Sequence, residues 1–178
     1  NSYQGNSAIT ANGVFKFDGQ RHHVAVTKSI DLIRIYYDGV LKVTASVPGI
    51  VQDTTKLIVG RQYNDNYHFK GIIEEVRYWA YCRSAEEVEG ACWTELQGNE
   101  ANLALLWRFD EGEGTTLIDR SPSANNGTLY GNPVWVIDPN EGSYVENGTL
   151  TLPAISLANI SADITATWAN YIPTGSYQ

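Results

Sequence analysis

Apolar and polar residues alternate with a period of two through most of the chain, and glycines, prolines and Asp/Asn pairs interrupt the alternation at short intervals. That pattern predicts β-strands, one face of each turned to a core, joined by tight turns. Val14–Phe17 reads as a short strand ending at Asp18-Gly19, and HHVAVT (His22–Thr27) as a half-buried one. Ile30–Tyr37 runs into Asp38-Gly39 and returns as VLKVTASV, the strongest local hairpin signal in the chain. In that hairpin Ile33, Ile35 and Tyr37 share one face, expected to meet the core, while Leu32, Arg34 and Tyr36 share the other. KLIVG (Lys56–Gly60), Gly71–Tyr81, LALLWRF (Leu103–Phe109), TLID and GTLYGNPVWV supply the remaining strands up to Asp138.

One helix interrupts this scheme. RSAEEVEGA lies between Cys82 and Cys92; Ser84 with Glu87 three residues on has the form of a capping box, and Gly90 is placed to stop the helix. The segment Arg83–Glu89 is too short to be stable alone and must be held by packing. A Cys82–Cys92 disulfide would close a small loop around it, contributing roughly 2–3 kcal/mol. There is no CxxC spacing and no cluster of histidines, which argues against a metal or redox pair.

The chain has 178 residues, enough for one core, with 43% apolar and 18% charged positions. Its net charge of −8 and the absence of any Lys/Arg run argue against nucleic acid as a partner. No stretch is long and apolar enough to span a bilayer as a helix. With no methionine, the sequence reads as a processed product or a piece of something longer. Sequons at Asn126, Asn147 and Asn159 fit an exported chain. Composition shifts at Asp138-Pro139-Asn140-Glu141-Gly142: from Asn140 to Gln178 there are one Asp, two Glu and no Lys or Arg. Residues 1–137 therefore read as a sandwich domain, and 138–178 as a strand-rich arm, a linker or the beginning of another domain.

HHVAVT, IRIYYDGVLK, LIVGRQ, FKGIIEEVRYWAYCRSAEEVE and LALLWRFDEGEGTTLIDRSPSANNGTLYGNPVWV, in that order, resemble the laminin G-like modules of the concanavalin A-like lectin/glucanase superfamily. The resemblance implies an all-β fold: a two-sheet antiparallel jelly-roll sandwich with one short helix. It also implies an extracellular or cell-surface setting, glycans or other surface proteins as partners, and in some modules a bound calcium. The opening strands of such a module have no counterpart here before Phe15. The missing strands are expected from elsewhere, upstream or from a neighbouring copy. Where relatives often carry Trp before the double histidine, this chain has Arg21, and Glu74 stands where relatives often have Asp.

Among candidate sites, Tyr63, Asn64, Asp65, Asn66 and Tyr67 form the loop best suited to sugar, joining aromatic faces to polar neighbours. Calcium, needing about six oxygens, would draw on Asp53, Asp65, Glu74 and Asp119, with Asn64 and Asn66 nearby. Hydrolysis needs two converging carboxyl groups; consecutive strand residues such as Glu74 and Glu75 point to opposite faces, and the E-x-D-x-x-E arrangement of the superfamily's glucanases is absent. The same divergence argues against His22-His23 as a catalytic pair. The function expected is a non-enzymatic adhesion or carbohydrate-binding module of a larger secreted protein. The alternative is a filament subunit assembled by strand sharing, and hydrolysis ranks below both.

Overall fold

The computed structural model describes residues 13–16, 18–46, 57–61, 68–138, 142–146, 149–151 and 160–168. The described residues form two antiparallel sheets. The strands are β1 (Arg21–Lys28), β2 (Leu32–Tyr37), β3 (Val40–Ser46), β4 (Ile58–Val59) and β5 (Gly71–Trp79), followed by helix α1 (Ala85–Ala91). Then come β6 (Leu103–Trp107), β7 (Thr116–Leu117), β8 (Gly127–Tyr130), β9 (Val134–Asp138), β10 (Gly142–Glu146), β11 (Thr149–Thr151) and β12 (Ile160–Trp168). The larger sheet has the order β3-β2-β1-β12-β5-β10-β9, with β6 also on β5; the smaller is β4-β11-β8-β7. On one edge β5 pairs with β12; on the other its first residues pair with β10 and its last with β6.

The predicted hairpin forms around Asp38-Gly39, which take φ of 50° and 77° as a two-residue hairpin turn requires. Of the strand expected over Val14–Phe17, Phe17 lies outside the described residues, and Val14–Lys16 do not form a strand. Gly13 to Phe15 form a turn, with Phe15 packed edge-on against Tyr37 and the Lys16 amide donating to the Tyr37 hydroxyl.

The main core lies between the sheets: Tyr37, Val59, Ile73, Val76, Tyr78, Leu105, Trp107, Phe109, Leu117 and Leu129. The outer face of the larger sheet is covered as well. Tyr36 and Ala25 pack beneath Val88 of α1, while Trp79, Leu103 and Leu106 meet Leu96 of the loop after the helix. That second cover explains why Tyr36, on the face opposite the one expected to meet the core, is buried.

α1 begins as its sequence predicts, with Ser84 accepting from the Glu87 amide and the Glu87 carboxylate accepting from the Ser84 amide. It does not stop at Gly90: the helix continues to Ala91, and Cys92 caps it in a helical conformation. The expected disulfide is not formed, and Cys82 and Cys92 are both free thiols. The reason is tertiary. Cys92 faces the β2–β3 turn, its Sγ 3.3 Å from where a Cβ on Gly39 would lie, and it donates to the Glu89 carbonyl at 3.1 Å. The helix is fastened by Arg83, which stacks 4.6 Å over the Trp79 ring and donates to the Glu87 carbonyl.

The paired histidines sit on opposite faces, as expected. His22 stacks on Tyr37 and places Nδ1 at 2.9 Å from Asp38 and Nε2 at 3.0 Å from Asp18. Burial opposes its charged form, but the hydrogen bonds and charges of the two aspartates outweigh that and raise its pKa. For His23, burial and then the charges of Arg77 and Arg83 push the pKa down to about 4. An unfolded chain protonates this ring near pH 6.5, so between about 6.5 and about 4 the unfolded state holds a proton that the folded state refuses. Stability is therefore expected to fall as pH drops through that window, by about 3 kcal/mol from this group. His22 acts oppositely: its contribution is present below 6.5 and lost as pH rises through its elevated folded value. Urea titrations from pH 4 to 7 check the first effect. A His23→Asn chain that keeps the full acid slope would remove His23 as its source.

Candidate functional site

A break in the alternation of β5 creates the site. Between β12 and β5 the register shifts, Thr165 facing Glu75 and Ala166 facing Ile73, so that Glu74 is the extra residue of a β-bulge. Ile73 and Val76, three apart, consequently both face the main core. Glu74 and Glu75 line the same cavity on the outer face. The expectation that these two carboxylates diverge is corrected here, because the period-two rule holds only for a regular strand.

The cavity has a volume of about 370 Å³. Its floor is the bulge and Arg77; one wall is the loop after α1, Cys92 to Glu95, another is Arg21 at the start of β1, and Arg108 and Asp110 close the end beyond β6. Arg77, almost wholly buried, holds the loop in place. Its Nη1 donates to the Ala91 carbonyl at 2.8 Å, Nη2 to the Thr94 carbonyl at 2.6 Å, and Nε to Glu75. Arg21 pairs with the buried Glu74 at 2.5 Å. Arg108 pairs with Glu95 at 3.1 Å and donates to the Leu96 carbonyl.

Between these charges stands Trp93, 53% exposed. The Arg21 guanidinium lies 5.9 Å from its ring centre and the His23 ring 6.2 Å away, edge to face. An indole held by its neighbours, open on one side and ringed by carboxylates and guanidinium groups, offers an apolar face beside fixed polar partners.

Sequence reasoning passed over Trp93. The available signals were a tryptophan in the polar run after the helix and the non-alternating IIEEV of β5. The loop favoured instead, Tyr63, Asn64, Asp65, Asn66 and Tyr67, lies outside the described residues, as do Asp53, Asn147 and Asn159. Asn126 is exposed before β8, its side-chain oxygen accepting the Asp119 amide at 3.0 Å.

Of the residues considered for calcium, Glu74 pairs with Arg21, and Asp119 is an internal hub. Its two carboxylate oxygens accept from the amides of Leu106, Ser121 and Asn125 and from the Ser121 hydroxyl, at 2.7–2.9 Å. With both oxygens so engaged inside the turn before β8, Asp119 has the partners of a structural carboxylate. Among the described residues, no three His, Cys, Asp or Glu come together in a metal-binding group.

The architecture defines the class: a two-sheet antiparallel β-sandwich with a cleft on its helix-covered face. The chain belongs to the Concanavalin A-like lectin/glucanases superfamily, a family model of that description matching residues 1–89, half of its length. Comparisons with curated proteins and with solved structures find no match. Laminin G-like members of this superfamily are often extracellular adhesion or carbohydrate-binding modules and are generally non-enzymatic, although the superfamily also includes glycosidases. Among the described residues, no helix is long and apolar enough to cross a membrane.

Proposed function

We infer that this chain is a non-enzymatic carbohydrate-binding or adhesive module of a secreted or surface protein, with the Trp93 cleft as its binding surface. The observation that carries the reading is an exposed indole held over a cavity whose polar groups are already fixed by neighbours. Such preorganisation suits binding, since little side-chain freedom remains to be lost. The carboxylate pair supports binding over hydrolysis, because Glu74 and Glu75 each lie against an arginine. A glycosidase acid instead works from apolar surroundings.

On a glycan array, Trp93→Ala is expected to weaken binding about 30-fold or more, the effect of losing an aromatic anchor of about 2 kcal/mol. Its folding stability should change by less than about 1 kcal/mol, as for most surface substitutions. Binding that survives Trp93→Ala but disappears with Tyr63→Ala and Tyr67→Ala would move the site to the 63–67 loop. Sugar release by the native chain that is lost in Glu74→Gln would replace binding by hydrolysis.

A further inference from the structure

β12, the last strand among the described residues, is central in the larger sheet. β1 and β5 do not pair with each other; β12 joins them, opposite all eight residues of β1 on one side and from Gly71 to Trp79 of β5 on the other. Without a strand in that channel the sheet divides into β3-β2-β1 and the group around β5. Each half would then expose a long row of unpaired backbone donors and acceptors. The channel also specifies its strand. The pairing is fixed on both edges at once, Ala162 opposite Val26 of β1 and Tyr78 of β5, so an entering strand aligned by one residue more or less would lose this register on both neighbours. Asp163, the only charged residue of β12, stands opposite Arg77 in that register.

We propose that the channel between β1 and β5 is a strand-exchange site that takes the Ile160–Trp168 strand of a second copy of this chain. An identical strand makes the same backbone hydrogen bonds whichever copy supplies it, so exchange costs no contacts. Two copies trading strands reciprocally form a closed two-fold dimer. Closure within one chain is favoured by effective concentration, in the millimolar range for a short flexible connection. Exchange therefore grows with protein concentration, and with any arrangement that keeps copies side by side.

The test uses full-length chains in a Cys82→Ser, Cys92→Ala background. One copy carries Val26→Cys and a mass tag, the other Ala162→Cys; these positions face each other across β1 and β12. Neither copy can form the 26–162 link within itself. The two are unfolded together, refolded and oxidised, and the linked peptides are identified by mass spectrometry. A heterodimer joined 26 to 162, rising roughly in proportion to concentration below the millimolar range, is the expected result. A single chain carrying both cysteines should link internally, confirming the register. If that chain links internally while the co-refolded pair yields no more 26–162 link than folded chains mixed briefly, the channel closes only in cis and exchange is overturned.

Discussion

Arg77→Ala is expected to lower folding stability by about 3–5 kcal/mol, the usual consequence of deleting one partner of a buried ion pair. Arg77 is only 3% exposed, and its guanidinium serves Glu75 and two backbone carbonyls at once. Removing it leaves a carboxylate and two carbonyls without that donor, and frees the loop that carries Trp93. Arg77→Lys should recover only part of the loss, since one ammonium cannot reproduce a planar fork reaching three acceptors. The check is urea denaturation followed by tryptophan fluorescence, with glycan binding measured on the folded fraction. A loss below about 1 kcal/mol would mean that packing, and not this guanidinium, holds the 91–94 loop.

The second large effect concerns the interior. Trp107 is fully buried between the sheets, and its indole nitrogen donates to the Asn125 carbonyl at 3.3 Å. Trp107→Ala is expected to cost about 3–5 kcal/mol, combining lost burial with the cavity left behind. The ring reaches across to β8, where a Cβ on Gly127 would meet three of its atoms at 2.6, 2.8 and 3.0 Å. Gly127→Ala should therefore destabilise by about 1–3 kcal/mol through overpacking. Because both substitutions act on one contact, their effects should not add. Trp107→Phe combined with Gly127→Ala is expected to be more stable than the sum of the single losses predicts. Strict additivity in thermal and urea melts would show that the ring and the glycine are not in contact.

Much of the fold was legible because much of it is local. The Asp38-Gly39 turn and the Ser84/Glu87 capping box each depend on residues close in sequence, and each appears where it was read. The main core was legible only in part: of Ile33, Ile35 and Tyr37, the residues that period two turns toward the core, Tyr37 lies in the main cluster. The site was not. Glu74 and Glu75 share a cavity only because β12, almost ninety residues later, pairs with β5 one residue out of step. Trp93 becomes a binding candidate only when Arg77, on another element, fixes the loop behind it. The cysteines bracket the helix in sequence, yet Cys92 is drawn to Gly39 of a distant hairpin.

Short-range chemistry in this chain thus determined its class, its turns, its helix cap and the two-faced character of its strands. Tertiary structure decided which strands are neighbours, where the alternation breaks, which faces receive a second cover and which side chains meet in the cleft. The physical reason is that backbone hydrogen bonds between strands carry no label of sequence distance. Which edge a strand pairs with, and in what register, is settled by the packing of the whole sheet.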